Sequence, residues 1–481
     1  MSIAKGAEGQ LYAMLAALFA ANVLLIPLSA APEASLIVLP SVSIMNITAL
    51  LFLAMWSSDG SVPLEIGTIY AVAVALYGLA PLAGFLLSGM EFSLLSDTRL
   101  VQYAPSPEEV GAFAWKYVIY LGSFSLAYLF TRWSGGVRPQ EVGESRTVLP
   151  FPLFLVLFLL VLYFFFLRIL FGVSYAWSYE DTAAAMDALL ALPLVVHQVS
   201  SHLNGMLFTA KVAIMILVFE RYWRRPWTFV LVAWLTLEVA LSVLKMGART
   251  EAVLLLLGAM FLYHWRIKPL KLSVLAAGGV FLIAGYIAFG VVRDYREAFL
   301  EADEGRVSSS NEFQAVFSTA FDLEKRRLDG SLQVPWSVYL SDITAVVPSQ
   351  FVPFEKVDKA EWYLDVAGVR DTGVGFAFGA ISESVIGFGN IELLLRGMVI
   401  GYLFARLHLW YRRHPRDFWV LLVYCMATLW SYHTFRNASF HLLVLFQYQV
   451  LPVILFTEVY EYLERQAREL GGPLVAGGGA R

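Results

Sequence analysis

The sequence predicts an all-α, polytopic integral membrane protein, and three observations support this prediction. Hydrophobic residues make up 59% of the chain, charged residues only 15%, and the mean hydropathy is +0.67. Windows of about 20 apolar residues follow one another along the chain, and each is long enough to cross a bilayer core of roughly 30 Å. The windows are continuously apolar rather than alternating, which indicates helices and not the strands of a barrel.

Taken in order, the apolar windows predict about twelve transmembrane helices. They cover residues 11–31, 36–56, 66–88, 113–131, 150–171, 203–219, 227–244, 249–265, 272–292, 391–411, 418–434 and 439–460. The first window does not resemble a cleavable signal, so we expect it to remain as a span. The chain then divides into spans 1–9 (1–292), a large loop (293–390), spans 10–12 (391–462) and a tail (463–481).

Basic clusters between the spans predict the orientation. Arginines and lysines at 132–146, 221–225, 266–271, 412–416 and 465–468 all fall on one side of the bilayer, which the positive-inside rule assigns to the cytoplasm. Both termini are then cytoplasmic, and the large loop faces the outer side. Segments 312–328 and 337–346 of this loop have helical patterns, so we expect a folded helical cap. Residues 373–390 favour a re-entrant or interfacial segment, because a further crossing would break the charge pattern.

Several function classes are excluded or disfavoured by composition. The net charge of −4 argues against nucleic acid as a partner. The chain lacks the glycine-rich Lys-Ser/Thr motif of ATP-driven motors. Its one cysteine, Cys425, lies in an apolar window and can form no intrachain disulfide. Histidine and carboxylate residues show no spacing typical of a metal site, so we expect neither a metal nor another cofactor.

Four arginines are predicted at the outer membrane surface: Arg249, Arg293, Arg370 and Arg436. A guanidinium presents a planar fork that matches phosphate oxygens. Arg249 also opens a predicted helix, where free backbone N–H groups add to anion affinity. Each arginine alone could be snorkelling or capping a helix end. Together they predict a phosphate-binding site, whereas the Arg326-Arg327 pair in the cap is typical of a solvated helix face.

Glu383 is the best candidate for acid–base chemistry. Its apolar neighbours, such as Phe378 and Phe388, should partly desolvate the carboxylate and raise its pKa. The alternative is a structural ion pair with a nearby arginine, and the two roles are compatible. His433 could orient a substrate hydroxyl or phosphate, and a helical turn there would place it on one face with Asn437 and His441.

Three segments resemble the Wzy-type polymerases of oligosaccharide repeat units (O-antigen or exopolysaccharide). Met246-Gly-Ala-Arg249-Thr resembles the segment that opens a middle helix in that family. The run Gly375-Phe-Ala-Phe-Gly-Ala-Ile-Ser-Glu383-Ser-Val-Ile-Gly-Phe-Gly389 resembles the segment that closes their large loop. Phe435-Arg436-Asn437 resembles the turn before their final helix. The layout of spans and loop is similar over nearly the whole chain.

The resemblance implies a GT-C-like glycosyltransferase of the bacterial inner membrane, active on the periplasmic side. Its substrate would be a polyprenyl-diphosphate-linked saccharide, and a chain-length regulator is a possible partner. Arg249, Arg293 and Arg436 would bind the diphosphate, and Glu383 would be the base. Residues expected to position the saccharide are Arg370, His433, Trp336, Tyr339, Trp362 and Tyr363.

Two alternatives stay open from the sequence. An O-antigen ligase would use the same type of donor and differ in its acceptor. A flippase or other transporter of lipid-linked saccharides would require charges through the whole membrane depth, whereas the unusual charges noted above crowd towards one side.

Overall fold

The fold was analysed in a computed structural model, which describes residues 32–59, 62–87, 105–135, 194–221, 226–244, 249–275, 277–278, 312–347, 351–368 and 378–469. The regular elements of these residues are all helical, as predicted. The spans expected at 11–31 and 150–171, and most of the one at 272–292, lie outside the described residues. Arg293 and Arg370 do too, as does the side chain of Arg249.

A helix lies at every predicted span within the described residues. The helices are α1 (Pro32–Asp59), α2 (Ile66–Leu87), α3 (Pro107–Ser134), α4 (Leu194–Arg221), α5 (Pro226–Leu244), α6 (Arg249–Arg266), α7 (Glu312–Leu328), α8 (Trp336–Ile343), α9 (Lys359–Ala367), α10 (Ala380–Ile386), α11 (Asn390–Arg413), α12 (Phe418–Trp430), α13 (His433–Arg436), α14 (His441–Leu445) and α15 (Leu451–Glu469). A π-helical turn, Phe446–Val450, joins the last two.

Four of these helices are long and apolar enough to cross a membrane: residues Pro32–Ser57 of α1, then α2, α3 and α11. Other apolar helical stretches, such as Phe418–Trp430, have 10–17 residues. Length and composition therefore support a helical membrane protein.

The chain divides into two compact units. The first comprises Met1–Arg138, Lys268–Arg413 and Trp430–Leu442, and the second comprises Pro139–Ile267, His414–Leu429 and Leu443–Arg481. Within the second unit, α4 packs on α6 and on the π-helical turn. Arg266 at the end of α6 pairs with Glu220 at the end of α4, at 3.0 Å. This pair gives Glu220, a charge next to an apolar window, a structural partner.

In the first unit, α11 packs closely along α3 because of two glycines one turn apart. A Cβ atom at Gly397 would lie 2.7 Å from the carbonyl oxygen of Tyr120, and one at Gly401 would lie 2.4 Å from that of Phe124. Small residues with this spacing let two membrane helices approach backbone to backbone. The contact fixes the position of Arg396, the residue before Gly397.

The described part of the predicted cap is helical. The helices expected at 312–328 and 337–346 are present as α7 and α8. α10 has seven residues, or about 10 Å, which is too short to cross a bilayer. It ends in a turn in which Gly389 has φ +67°, a conformation that favours glycine. Residues 378–389 therefore do not form a further crossing.

Candidate functional site

Five charged side chains meet where α8, α9, α10 and α11 converge, and we call them the Glu383 cluster. They are Asp342, Lys359, Glu383, Glu392 and Arg396. The side chain of Glu383 is fully buried and that of Asp342 is 1% exposed, whereas Lys359 retains 13% exposure. Charges buried this deeply persist only when they are paired.

Arg396 uses its whole guanidinium fork to join three carboxylates. Nη1 donates to Glu383 Oε2 at 2.6 Å, and Nη2 donates to Asp342 Oδ2 at 2.6 Å. Nε donates to Glu392 Oε1, one turn earlier on the same helix, at 2.7 Å. Lysine could not replace this planar, multidentate arrangement, because it presents a single ammonium group. Arg396 thus links α11 to α8 and α10.

Lys359 completes the cluster from the first residue of α9. Its ammonium bonds to Asp342 Oδ1 at 2.5 Å and to Glu383 Oε1. It also lies 5.6 Å from the centre of the Phe378 ring, within range of a cation–π contact. α9 begins here because Asp358 caps its free N–H groups, accepting from Ala360 at 2.7 Å.

Glu383 also binds the turn that precedes α14. Its Oε2 accepts from the backbone N–H of Ser439 at 3.0 Å and from the Ser439 hydroxyl at 2.7 Å. Gly379, just before α10, allows the approach: a Cβ atom there would lie 2.7 Å from the carbonyl oxygen of Phe435. The segment around Glu383 and the turn around Arg436 are therefore in direct contact, although more than fifty residues separate them.

The charge balance of the cluster explains its protonation. Three carboxyl groups face two permanent cations. Burial and the adjacent Asp342 carboxylate raise the pKa of Glu383 to about 7. Burial alone would also raise the pKa of Asp342, but Lys359 and the hydrogen bond with Glu383 outweigh it and hold that pKa below its usual range. One proton on Glu383 makes the buried charges equal in number.

The predicted alternative of an ion pair for Glu383 is present, with Arg396 as the partner. In this arrangement both oxygens of Glu383 are occupied, one by Lys359 and the other by Arg396 and Ser439. The carboxylate is therefore not presented to a substrate in the described conformation. Instead it links its own helix, α10, to α9, to α11 and to the turn that precedes α14.

Arg436 and His433 lie in α13, in the turn that Glu383 contacts through Ser439. Asn437 Nδ2 lies 3.1 Å from His433 Nδ1 and 3.5 Å from His441 Nε2. The three side chains thus lie together, although α13 ends at Arg436 and His441 begins α14. The ring centres of the two histidines are 5.4 Å apart. Phe435 is fully buried, and its ring packs against those of Tyr117 and Tyr120.

The aromatic residues expected to stack on sugars differ in exposure. Trp336 is 73% exposed, and Tyr339 is half-buried with its hydroxyl 3.3 Å from Glu392 Oε2. Trp362 and Tyr363 are buried, and the Tyr363 hydroxyl donates to Asp322 at 2.8 Å. In this structure neither Trp362 nor Tyr363 presents a ring face for stacking, because both pack against Phe378.

The basic run at the end of α7 is partly solvated, as the sequence predicts, and each of its three side chains also has a partner. Lys325 pairs with Glu109 of α3, and Arg326 pairs with Asp322 at 2.8 Å. Arg327 Nη1 donates to the carbonyl oxygen of Val385 at 2.6 Å, which satisfies a free carbonyl in the last turn of α10. The run therefore anchors α7 to its neighbours and holds the helix that carries Glu383.

Sequence reasoning missed Asp342, Lys359, Glu392 and Arg396. A signal was present for the last two, because they stand one turn apart inside a predicted span, where charged residues are costly and often functional. Asp342 and Lys359 have no such signal. Each is an ordinary charged residue in a short helix of the loop, and only the tertiary fold brings it to Glu383.

A second group of buried charged residues lies towards the other end of α11, and we call it the Glu65 cluster. Glu65, next to the start of α2, pairs with Arg132 near the end of α3 at 3.3 Å and contacts His408 of α11 at 2.9 Å. Burial would raise the pKa of Glu65, but His408 and Arg132 outweigh it and lower that pKa.

Comparison with models of protein families, with curated proteins and with solved structures returns no match to this chain. The site must therefore be interpreted from its own geometry and from the motif resemblance described above.

Proposed function

We propose that this chain is a glycosyltransferase of the bacterial inner membrane that polymerises polyprenyl-diphosphate-linked oligosaccharide repeat units on the periplasmic face. The observation that carries the proposal is the contact between Glu383 and Ser439. It joins two of the three segments on which the resemblance rests, the one around Glu383 and the one around Arg436. Residues that are distant in sequence and meet in a buried, charged site are typical of a catalytic centre.

The reaction needs two kinds of group. The donor carries a diphosphate leaving group at membrane level, and the negative charge that develops on it must be stabilised by preorganised cations. Arg436, together with Arg249 and Arg293, is proposed for this task, which then requires no metal. The acceptor is a sugar hydroxyl, whose proton must pass to a base as the new glycosidic bond forms. Arg370 and His433 are proposed to position the substrates.

Glu383 has two possible roles in this scheme, and the geometry favours one of them. In the described conformation it positions Lys359, Arg396 and the Arg436 turn. To act as the base it must first release one of these partners. Its pKa of about 7 permits loss or gain of a proton near neutral pH, so substrate binding that displaced a partner could convert the positioning residue into the base.

The proposed topology has about twelve spans, both termini in the cytoplasm and the 293–390 loop as a periplasmic cap. The contacts of the first unit support it in part. Glu65, Arg132 and His408 meet at one end of α2, α3 and α11, and the Glu383 cluster lies at the other end. This is the alternation that successive crossings require.

A transporter of lipid-linked saccharides is the second candidate, and the Glu65 cluster favours it. Buried charges towards both ends of α11 are what a transport path would use. Against it, aromatic rings fill the space between the ends. The Tyr70 ring centre lies 4.8 Å from that of Phe124 and 5.1 Å from that of Phe404, and all three are buried. Such packing separates the two clusters.

The deciding experiment incubates the purified protein with a polyprenyl-diphosphate-linked repeat unit, without ATP or added metal, and resolves the products by length. A ladder of multiples is the expected result. Donor that instead crosses a vesicle bilayer without elongation would overturn the proposal in favour of transport. A single transfer to a lipid A core acceptor, again without a ladder, would indicate a ligase.

The proposed arginines give a second test. Arg249→Ala, Arg293→Ala and Arg436→Ala should each leave the protein inserted but without product, because each removes a cation from the leaving diphosphate. Arg406→Ala is the matched control, since this arginine is exposed on α11 and lies ten residues, nearly three turns, beyond Arg396. Full activity in all three variants would exclude the diphosphate clamp.

A further inference from the structure

A groove lies between the first turns of α3 and the last turns of α7, with a cavity volume of about 360 Å³. This volume is within the range of small-molecule sites. Ala112, Trp115 and Ile119 line one wall and follow the i, i+3, i+7 spacing of a single helix face. Phe321 and Leu328, also two turns apart, line the other. The groove belongs to the first unit and lies outside the Glu383 cluster.

Two ion pairs cross the groove and fix its width. Lys116 of α3 lies 2.9 Å from Glu324 Oε1 of α7, and it donates to Asn390 Oδ1 at 2.9 Å. Lys325 of α7 pairs with Glu109 of α3. The walls are therefore held apart at a set distance without a ligand, and a preformed site loses less entropy when it binds one.

One polar group in the groove has an unused acceptor. Glu324 Oε2 is buried, and no hydrogen-bond donor within the described residues reaches it, although its partner oxygen binds Lys116. A buried carboxylate oxygen without a donor is costly, so its presence suggests that a ligand supplies one. Close by, the Trp115 indole is 39% exposed and offers an apolar face to the groove.

We propose that this groove binds the uncharged saccharide of a substrate, with a sugar hydroxyl donating to Glu324 Oε2 and a sugar ring packing on Trp115; this inference rests on the proposed function. The charges favour a neutral ligand over the diphosphate. Glu108, Glu109 and Glu324 outnumber Lys116 and Lys325 among the lining residues, so an anion would be repelled. Asn390, which also lines the groove, stands two residues before Glu392 of the Glu383 cluster. A saccharide held here would therefore lie next to the first turn of α11, which carries Glu392.

The test measures binding without catalysis. The probe is the soluble oligosaccharide that mild acid releases from the lipid-linked repeat units of the source cell, titrated calorimetrically into the purified full-length protein in detergent. Trp115→Ala and Glu324→Gln should each weaken binding about tenfold or more, the loss expected for a stacked ring or a hydrogen bond to a charged group. Trp133→Ala is the matched control, because Trp133 is exposed at the opposite end of α3. It should bind as the unmodified protein does.

The outcomes separate this inference from the proposed function. Undetectable binding by the unmodified protein, or equal binding by the Trp115 and Trp133 variants, overturns the groove as a saccharide site even if a polymer ladder forms. Selective loss in the Trp115 variant supports the groove even if no ladder forms, in which case the polymerase proposal alone fails. Glu324→Gln also removes an ion pair, so the Trp115 variant decides if that protein does not fold.

Discussion

The two buried charged clusters of the first unit lie towards opposite ends of α11, the one long helix that they share, and differ in what they join. Arg396 and His408 are twelve residues apart on α11, or about 18 Å. The Glu65 cluster joins three long helices to one another. The Glu383 cluster joins one long helix to three short helices of the loop and, through Ser439, to the Arg436 turn. The Glu65 cluster therefore links the long helices α2, α3 and α11, whereas the Glu383 cluster links the loop to α11.

The clusters also differ in charge. Glu65 has a permanent partner in Arg132, so one acid meets one base and His408 adds a hydrogen-bonding group. The Glu383 cluster has one carboxyl more than it has cations. A charge-balanced ion pair keeps its protonation state when a ligand binds nearby. A site with one carboxyl group in excess changes its protonation when a charge is added nearby. This difference is the reason for proposing the Glu383 cluster, and not the Glu65 cluster, as part of the functional site.

The largest expected effect comes from Arg396→Ala. It leaves Asp342, Glu383 and Glu392 buried with Lys359 as the remaining cation of the cluster, and removing one partner of a buried pair costs about 3–5 kcal/mol. We expect a strongly lowered thermal midpoint of the purified protein in detergent. Arg406→Ala, on the exposed face of the same helix, should be nearly neutral. Similar losses in both variants would mean that the cluster does not stabilise the fold.

Substituting one carboxylate in each cluster should separate stability from activity. Glu65→Gln leaves Arg132 without its carboxylate and should cost about 2–3 kcal/mol, with turnover per folded molecule retained. Glu383→Gln mimics the protonated carboxyl and should change stability less, but it should abolish chain extension. The two variants are compared by thermal unfolding and by the product ladder. Normal product from Glu383→Gln would remove Glu383 from the catalytic scheme.

We expect the free energy of unfolding to depend on pH through the protonation of Glu383. The pKa of Glu383 is about 7 in the fold, above its ordinary value of 4.5, so the native state binds more protons between these two pH values. The contribution of Glu383 to the free energy of unfolding is fully present below about pH 4.5. It is lost as the pH rises through 7, and the total loss is at most about 3 kcal/mol. Thermal midpoints at several pH values should show this decline in the unmodified protein and lack it in Glu383→Gln. A stability that rises with pH over this range would contradict the assignment.

Some of this architecture could be predicted from the sequence because it has a local cause. Apolar windows located the helices, and the helical patterns of the cap gave α7 and α8. The apolar neighbours of Glu383 predicted a buried carboxylate with a raised pKa. Its partners could not be predicted in the same way, since Asp342 and Lys359 reach it only after the loop has folded back.

The role of Arg396 depends on a contact that a pattern of single residues does not reveal. Gly397 and Gly401 let α11 approach the backbone of α3, and only at that distance does the Arg396 fork face α8 and α10. Likewise, Arg327 is exposed, as its sequence predicts, but its bond to the Val385 carbonyl oxygen depends on the position of α10. Site residues whose position is set by helix–helix contact cannot be predicted from local sequence patterns.

The smallest expected effect concerns the link that only the Glu383 cluster has, the contact with the Arg436 turn. Gly379→Ala would place a Cβ atom 2.7 Å from the Phe435 carbonyl oxygen, so the backbone must shift, at about 1–3 kcal/mol. We expect the product ladder to shorten or disappear in protein that still folds, because the shift separates Glu383 from Ser439. Gly84→Ala is the control: no atom lies within 4 Å of the added methyl group, and alanine favours a helix by up to about 1 kcal/mol. Equal activity in the two variants would show that chain extension does not depend on contact between these segments, and the central support for the polymerase proposal would be lost.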